Sequence, residues 1–349
     1  MSKSSSSKFM KTRSACPKRV LNGPCGGMRS DGTCEVLEFK CVFYENYPSE
    51  LLLDDGFKIK PRIKHREYFT KLLSRTYERI TWIAEIPPKA GITKKLHILR
   101  ETTEDALSIP DNPFGRTHIE PTTFAAYLRN LTKSEIVVHL TCRDLNRLAL
   151  KSRILGLDLI GVKHVLALTG DHISPYEGNR LMGVFDLDSM RLIYMIRLLS
   201  DYGLDERGRR ITDKVTLHVG GGLNPYLPLE IELSRILRKL NSGSEFFISQ
   251  IIFDESYLIP LLKELRREGI NVPIFAGFLL QDYDKIVSFT RTSALPLDDV
   301  PKNLDKLIER YLESLRKLRR EYKVIGAYVS TLGKLEYLRT WSEYITGSF

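Results

Sequence analysis

The sequence predicts an α/β protein, a closed (β/α)8 TIM barrel with a small cysteine-rich metal or iron–sulfur module at its N-terminus. Two observations support this prediction. Short β-branched runs alternate with helix-period segments from about residue 66 onward, and four of the five cysteines fall within residues 16–41. A doubly wound open sheet shares the alternation, but no glycine-rich dinucleotide fingerprint follows the first strand, which favours the barrel.

Hydrophobic runs mark the strands, and amphipathic segments of suitable crossover length lie between them. Seven runs are clear, and an eighth strand is expected near 292–296. The predicted strands are 80–86, 106–109, 135–141, 164–169, 215–220, 246–253 and 272–278. The predicted helices are 144–160, 186–202, 228–241, 256–268, 281–289 and, as a basic amphipathic helix packed on the core, 302–323.

Composition divides the chain into three parts and a linker. Residues 1–13 are rich in serine and lysine and are expected to form a disordered tail. Residues 14–50 hold the four-cysteine module, a stretch through Asp54 and Pro61 is typical of a linker, and residues 66–349 supply the barrel. A chain of 349 residues with 42% hydrophobic content is long enough for one large domain and a small appendage.

The formal net charge of +10 is spread along the chain. This spread argues against a nucleic-acid partner and suits a phosphorylated or polyglutamate-bearing substrate. No apolar run approaches the roughly 18 residues of a membrane span, and the opening MSKSSSSKFMKTR lacks the apolar core of a secretory signal. The sequence therefore predicts a cytoplasmic protein without a membrane span.

Ionisable and amide residues recur where the predicted strands end. In a parallel barrel these ends meet at one mouth, where loops and helix N-termini converge. Glu85 is the most informative, because a carboxylate inside the apolar run ITWIAEI is costly unless it is paired or protonated, which suits a general acid. The other residues of this kind are Asp111, Asn112, His139, Thr141, Thr169, Asp171, Asn224, Gln250 and Asp254.

These residues also have structural interpretations. Asp171 can cap the next helix, His139 can be a hydrogen-bonded interior histidine, and Gln250 can be a buried amide bonded to its neighbours. The run VGGGLNP at 219–225 can bring a ligand ring or phosphate close to backbone NH groups, or it can be a plain turn. The residues alone leave these alternatives open.

Four separated segments together resemble methylenetetrahydrofolate reductases. The segments are HLTCRDLNRLALKSRILGLDLIGVKHVLALTGDHI (139–173), GVFDLDSMRLI (183–193), NPYLPLEIELSRILRKLNSGSEFFISQIIFD (224–254) and VPIFAGFLL (272–280), and they follow in the family's order. The resemblance covers roughly residues 75–300. It implies a flavin enzyme of one-carbon metabolism and methionine supply, which reduces the methylene bridge of 5,10-methylene-tetrahydrofolate, or of a methanopterin-like analogue, to a methyl group.

The resemblance also implies roles for residues at matching positions. Glu85 in AEIPPK resembles the family's general acid, Asp171 the aspartate near flavin and pterin, and Gln250 the amide that holds the pterin. Lys239 suits a flavin phosphate, and Glu232 a ribose hydroxyl or adenine. The implied catalytic residues are Glu85 and Asp171, the substrate-binding residues are Gln250, Asp171 and Asn112, and the cofactor-binding residues are His139, Thr141, Thr169, Asp171, Asn224, Glu232 and Lys239.

Two departures from the family pattern concern the cofactor. Thr169 stands where many bacterial members have arginine, and Pro110 stands where threonine is common before Asp111. Both positions bear on how the flavin's phosphates and ring are held, so FMN stays open beside FAD. Thr169 is usual in the branch with the RDLN and FDLDS motifs and does not indicate loss of function. The implied electron donor is NAD(P)H or reduced ferredoxin.

The cysteine pattern is Cys16-x8-Cys25-x8-Cys34-x6-Cys41. In a reducing compartment it indicates metal or iron–sulfur ligation rather than disulfides. Zinc and a [4Fe–4S] cluster are both open, and the lack of C-x2-C knuckles with the glycine-rich GPCGG and DGTC intervals favours the cluster. The module resembles the domain known as the C-terminal type of methylenetetrahydrofolate reductase proteins, here placed before the barrel. Cys142 lies apart and is expected to be a packing residue.

Two other functions stay open on the sequence alone. A flavin-free methyltransferase would bind a methylated pterin in the same barrel, and a non-catalytic electron-transfer subunit would not need Glu85. The partners implied are a reduced pterin and, for electron supply, a protein donor. The sequence does not decide between folate and methanopterin-type carriers, the direction of flux, or whether the chain forms homo-oligomers as family members often do.

Overall fold

The computed structural model describes residues 12–37, 39–74, 80–173, 182–297 and 299–347, and its centre is a closed barrel of eight parallel strands in sequence order. Each strand pairs with the next one along the chain, and β8 pairs with β1. The predicted (β/α)8 barrel is therefore confirmed. The strands are β1 Thr81–Glu85, β2 Ala106–Ile109, β3 Glu135–Thr141, β4 His164–Leu168, β5 His218–Leu223, β6 Phe246–Ile251, β7 Ile274–Leu279 and β8 Gly326–Ser330.

Helices fill the crossovers between strands. Four of the described α-helices follow side chains that accept a hydrogen bond from a first-turn N–H group, at Glu120, Asn146, Asp188 and Asn303. A 3₁₀ helix, Ile92–Arg100, connects β1 to β2. The α-helices are α1 Lys71–Ser74, α2 Pro121–Arg129, α3 Arg147–Leu159, α4 Ser189–Arg197, α5 Leu229–Ser242, α6 Ile259–Arg267, α7 Tyr283–Ser293, α8 Leu304–Tyr322 and α9 Glu336–Gly347.

The eighth strand is not where the sequence pattern placed it. The prediction near 292–296 is wrong, because Ser293 ends α7 and Ala294 follows it in the left-handed conformation. The true strand, Gly326–Ser330, follows α8. Gly326 makes this run less typical of a strand in the sequence. Glycine is needed there, because a side chain at Gly326 would overlap the Thr81 carbonyl where β8 closes on β1.

The glycine run of β5 also differs from its sequence interpretation. The strand begins at His218 and ends at Leu223, so the glycines lie inside the strand instead of forming a turn after it. A Cβ atom on Gly220 would overlap the ring of Phe246, which fills the barrel interior beside it. Gly220 therefore makes room for a packed aromatic side chain.

The hydrophobic core has an inner and an outer layer. Inside the barrel, inward residues of the strands such as Ile83, Leu166 and Phe275 pack together, and Leu72 and Leu73 of α1 close the amino-terminal end. A larger outer layer lies between the strands and the helices, with Trp82 and Trp341 among its fully buried members. Each fully buried large apolar side chain contributes about 1.5–3 kcal/mol to folding.

The basic segment 302–323 forms α8 and packs on the outer layer, as predicted. Its apolar residues Leu307, Ile308, Tyr311, Leu315 and Leu318 are all buried. The charged residues therefore occupy the opposite face of the helix. Among the residues described, no helix is both long and apolar enough to span a membrane.

The N-terminal cysteine module packs against the carboxyl end of the barrel. The Asp188 carboxylate accepts hydrogen bonds from the backbone N–H groups of Leu21 and Asn22, both at 3.1 Å. On α5, Arg238 donates to the Gly23 carbonyl at 3.1 Å. These contacts are buried and run between the module and two neighbouring helices, so they fix the module on the barrel.

The segment between module and barrel is tied down along its length. Asp54 pairs with Arg147 and Arg191, and the Tyr194 hydroxyl donates to the Pro61 carbonyl at 2.7 Å. The stretch predicted as a linker is thus held against α3 and α4. Of the predicted tail 1–13, residues 1–11 lie outside the described residues.

Candidate active site

A partly buried acid lies at the carboxyl mouth of the barrel. Glu85, the last residue of β1, receives a hydrogen bond from the Tyr328 hydroxyl at 2.5 Å and one from the Ser330 hydroxyl at 2.6 Å. Tyr328 and Ser330 alternate along β8 and therefore point into the barrel together. Both carboxylate oxygens are held by hydroxyl groups, so the carboxyl has a fixed orientation.

The environment of Glu85 favours its protonated form. Burial raises the pKa of the Glu85 carboxyl above its ordinary value, and the hydroxyls of Ser330 and Tyr328 with the charge of Lys89 offset this only in part. Burial likewise raises the pKa of the Tyr328 phenol, and the charge of Glu85 adds to the effect. The carboxyl can therefore donate a proton closer to neutral pH than an exposed glutamate.

His139 lies on β3, two strands away from Glu85, and its side chain also faces the barrel interior. Its Nε2 atom and the Ser108 hydroxyl are 2.8 Å apart, and its ring stacks near Tyr328 with centroids 6.3 Å apart. Burial lowers the pKa of His139 to about 3, so the imidazole is neutral across the physiological range. His139 acts as a neutral hydrogen-bonding group and not as a fixed cation.

The loop after β2 carries Asp111 and Asn112. The Asp111 carboxylate accepts from the backbone N–H of Thr141 at 3.1 Å and from its hydroxyl at 2.9 Å. Asn112 is in the left-handed conformation with φ 44°, and its side-chain oxygen accepts from the His118 N–H at 2.9 Å. Asp111 and Asn112 thus fix the shape of this loop against the end of β3.

The loop after β4 holds Thr169, Gly170 and Asp171. Gly170 has φ +90°, and a Cβ atom there would press on Thr141 and Arg143, which explains the glycine. Asp171 is exposed, and its carboxylate accepts from the Phe114 N–H at 3.0 Å. Asp171 therefore joins the loops after β2 and β4, and in the described part of the chain the next helix, α4, has Asp188 as its N-cap.

Gln250 lies near the carboxyl end of β6 and is only partly buried. Its side-chain oxygen accepts from the neighbouring Ile251 N–H at 3.0 Å. Glu85, Asp171 and Gln250 come from β1, β4 and β6 and lie at the same end of the closed barrel. The structure thus brings the three residues to one mouth.

Three further residues with implied cofactor roles lie after β5 and on α5, and one of them contacts the module. The Asn224 amide donates to the Gly26 carbonyl at 3.0 Å. Glu232 accepts from the Asn224 N–H at 2.8 Å and pairs with Arg235. Lys239 donates to the Gly222 carbonyl, and burial lowers its pKa to about 7. Glu232 and Lys239 are almost fully buried, and the neighbouring Arg235 donates to the Pro24 carbonyl of the module at 3.1 Å.

The four cysteines of the module line one cavity together with Lys18, Met28 and Phe43. They are free thiols, and burial raises the pKa of Cys16 to about 11 and that of Cys41 to about 12. Within the described chain, no three or more His, Cys, Asp or Glu side chains are arranged to hold a metal ion. Cys142 is fully buried in the outer core, as expected of a packing residue.

Sequence reasoning missed Ser108, Tyr328 and Ser330. The misplaced eighth strand hid Tyr328 and Ser330, although the alternation in GAYVS would have placed both on one face. Ser108 sits in the short run ALSI, directly beside Glu85 in the register of β1 and β2. The sequence signal for Ser108 was that it is the one polar residue in this four-residue strand.

Fold and site together define a (β/α)8-barrel protein with a protonatable carboxyl group at its carboxyl mouth. The chain belongs to the methylenetetrahydrofolate reductase family, which it matches over residues 87–327. Residues 8–65 match a second family, described as methylene-tetrahydrofolate reductase C terminal. The match to the first family covers most of the barrel.

Curated relatives agree with the family. The chain is 22% identical over 197 residues to methylenetetrahydrofolate reductase 1 of Schizosaccharomyces pombe, covering 52% of this chain and 31% of that protein. It is 23% identical over 190 residues to methylenetetrahydrofolate reductase (NADH) 1 of Arabidopsis thaliana, covering 53% and 31%. The chain thus spans about a third of the length of these relatives.

A solved structure shares the fold. An uncharacterized protein from Clostridium thermocellum that binds two copies of 5-methyl-5,6,7,8-tetrahydrofolic acid superposes with a TM-score of 0.54. The sequence identity is 16%, and the match covers 78% of this chain and 97% of that one. At this identity the likeness supports the barrel fold.

Proposed function

We propose that this chain reduces the methylene bridge of 5,10-methylene-tetrahydrofolate, or of a methanopterin-type analogue, to the 5-methyl form with the help of a bound flavin. The observation that carries the proposal is Glu85, a partly buried carboxyl group that two hydroxyls hold at the carboxyl mouth and whose pKa is raised by desolvation. Family membership over residues 87–327 supports the pterin substrate. Asp171 and Gln250 at the same mouth supply a charge and an amide for the pterin.

Glu85 acts as the general acid. It gives its proton to the bridging nitrogen N10, the bond between that nitrogen and the methylene carbon breaks, and an iminium cation forms at N5 of the pterin. A bound flavin supplies the hydride that this carbon accepts. One proton and one hydride account for the two hydrogens gained, and Glu85 is left ionised between Tyr328 and Ser330.

The residues of α5 fit the phosphate part of a flavin. Arg235, Arg238 and Lys239 are buried there with a single carboxylate, Glu232. The Nη2 atom of Arg238 is buried without a hydrogen-bond partner in the described part of the chain. An excess of buried positive charge with an unsatisfied donor suits an anionic group. We infer that these side chains hold flavin phosphate, with Asn224 beside them.

The flavin ring has a separate set of candidate contacts. His139, Thr141 and Thr169 lie at the ends of β3 and β4 and are each at least nine-tenths buried. The neutral imidazole and two hydroxyls can donate to or accept from a ring edge without adding charge. We infer that the ring binds beside them, close to Asp171.

We infer further that Cys16, Cys25, Cys34 and Cys41 hold a [4Fe–4S] cluster. The four thiols line one cavity, and their spacing lacks the paired C-x2-C knuckles of common zinc ribbons. In a cluster each sulfur binds a different iron, which suits ligands spread around a cavity. Such a centre passes single electrons and would accept them from reduced ferredoxin, whereas NAD(P)H would serve the flavin directly.

Anaerobic purification of the whole chain tests the proposal. Its visible spectrum, with quantitation of flavin, iron, sulfide and zinc, should show flavin and about four irons per chain. Reduction of methylene-tetrahydrofolate is then measured with NADH, NADPH and reduced ferredoxin. A protein that lacks flavin and fails to take it up contradicts the reductase, and flavin-free methyl transfer would identify a methyltransferase instead.

A further inference from the structure

One lysine of the cysteine module reaches the mouth of the barrel. The Lys18 side chain is almost fully buried, and its ammonium group donates a hydrogen bond of 2.6 Å to the Gly170 carbonyl in the loop after β4. Lys18 also pairs with Glu35 of the module. A buried charge is costly unless polar partners compensate its loss of water. Lys18 has one such partner in the module and one in the barrel.

The backbone around Lys18 is fixed on both sides. The Arg19 N–H donates to the Cys16 carbonyl at 2.9 Å and closes a turn that contains Lys18. Further along, the Leu21 N–H donates to the Asp188 carboxylate on α4 at 3.1 Å. The Lys18 side chain thus starts from a segment held between a cysteine and a barrel helix, so less conformational entropy is lost when it contacts the barrel.

The loop that receives this hydrogen bond carries Asp171. Gly170 is in the left-handed conformation with φ +90°, and a Cβ atom there would press on Thr141 at the end of β3. The Asp171 carboxylate accepts from the Phe114 N–H at 3.0 Å. The Gly170 carbonyl belongs to the planar peptide group that continues into Asp171. The bond from Lys18 therefore fixes the backbone directly before this carboxylate.

A second contact joins the module to the mouth. The Asn224 amide, after β5, donates to the Gly26 carbonyl of the module at 3.0 Å, and the Asn224 N–H donates to Glu232 on α5 at 2.8 Å. The module thus contacts the loops that follow β4 and β5, which are neighbouring strands. Contacts with two neighbouring loops make the module a wall of the mouth.

We propose that Lys18 positions Asp171 for the pterin and so makes the cysteine module part of the substrate site. The inference rests on the proposed function, in which Asp171 supplies a charge to the pterin. Lys18 is a positioning residue, since it acts through the Gly170 peptide group. Asp171 is exposed, so without this anchor its loop would have to be ordered at the cost of binding free energy.

Binding of 5-methyl-tetrahydrofolate to the whole chain, followed by titration calorimetry, tests the proposal without turnover. Lys18→Met keeps an unbranched side chain without a donor and should weaken binding about tenfold, as expected for loss of one charged hydrogen bond. Lys40→Met is the matched control. Lys40 also lines the cysteine cavity, but its ammonium group lies over the Tyr44 ring, 4.3 Å from the centroid. This control should keep the affinity within about twofold.

A double-mutant cycle separates positioning of Asp171 from a general effect on the fold. Because Lys18 acts through Asp171, Lys18→Met should cost no further affinity in an Asp171→Ala background. Losses that multiply in the double variant overturn the proposal. Metal content is measured in every variant. Loss of metal in Lys18→Met but not in Lys40→Met would assign Lys18 to the cysteine site instead of the loop, and so also overturns it.

Hydrogen exchange tests the contact in the ligand-free protein. The Phe114 N–H, which donates to Asp171, should exchange about tenfold faster in Lys18→Met than in wild type, and at an unchanged rate in Lys40→Met. Unchanged exchange in Lys18→Met overturns the link, even in a protein that reduces the pterin.

The outcomes distinguish this inference from the reductase function. If the wild-type chain binds no reduced pterin, the proposed function fails, and the role of Lys18 in substrate binding fails with it. Faster exchange at Phe114 in Lys18→Met would still show that the module holds the loop. A wild-type chain that reduces the pterin, with a Lys18→Met variant of unchanged affinity, keeps the function and overturns the positioning role.

Discussion

Lys18 donates a hydrogen bond of 2.6 Å to the carbonyl oxygen of Gly170 and so joins the cysteine module to the loop after β4. Lys18 lines the cysteine cavity and also pairs with Glu35. Gly170 directly precedes Asp171, whose carboxylate holds the loop after β2. A change of charge in the cysteine cavity would therefore act on Lys18, which directly contacts the loop that carries Asp171 of the candidate active site.

Replacement of Glu85 by Gln should separate the two half-reactions. The amide keeps the size of the side chain but cannot supply the proton, so pterin reduction should fall about 10²–10⁴-fold. Reduction of the flavin by its donor does not use this proton and should stay within about twofold. Stopped-flow absorbance of the flavin measures both steps, and an equal loss in both would contradict the acid role.

Replacement of Cys25 by Ser should remove the metal centre. Cys25 lines the cavity with the other three cysteines, and a serine hydroxyl is a poor ligand for iron. Iron and sulfide should fall well below one cluster per chain. Cys142→Ser is the matched control, because Cys142 is buried in the outer core and should leave the metal content intact. Full iron in Cys25→Ser would show that this thiol is not a ligand.

Replacement of Glu245 by Gln should reduce stability at neutral pH. Burial tends to raise the pKa of Glu245, but hydrogen bonds from His218 and Arg66 outweigh it and lower the pKa to about 2 from 4.5. A depressed folded-state pKa means that this stabilisation is complete above pH 4.5 and is lost as pH falls toward 2. The shift corresponds to about 3 kcal/mol.

Urea denaturation of wild type and Glu245→Gln across this pH range measures the effect. The difference in free energy of unfolding should be largest near neutral pH and should shrink as the pH falls below 4.5. A difference that stays constant with pH would mean that the carboxylate charge does not stabilise the base of the barrel.

Replacement of Gly220 by Ala should destabilise the barrel. The added methyl group meets the ring of Phe246 inside the barrel, and overpacking of this kind costs about 1–3 kcal/mol. Gly347→Ala is a suitable control, since no atom lies within 4 Å of a Cβ there. Thermal unfolding compares the two. Equal stability of Gly220→Ala and wild type would show that β5 does not pack as described.

Seven of the eight strands were visible in the sequence because parallel strands buried on both faces appear as near-continuous apolar runs. The strand that contains Tyr328 and Ser330 was not, because it is short and begins with Gly326. This one error removed two of the three hydroxyl residues around Glu85 from the predicted site. A sequence pattern identifies a strand from the composition of that strand alone. The strand that closes a barrel is instead defined by its pairing with the strands on either side.

The residues Glu232 and Lys239 show a different limit. Family resemblance implied roles for both in binding a flavin, and the structure adds that their neighbours Asn224 and Arg235 contact the cysteine module. The module and α5 are separated by about two hundred positions, and the Arg238 contact with Gly23 spans 215. Spacing along the chain carries no signal for such a contact.

By itself, the sequence determined the βα alternation, the cysteine cluster and the unusual acid Glu85, because each depends on neighbours within a few residues. Only the tertiary structure decided that Tyr328, 243 positions away, holds that acid and that Ser108, opposite the acid in strand register, hydrogen-bonds His139. The physical reason is that closing a barrel joins its first and last strands, and the side chains that meet there are set by register, not by local composition.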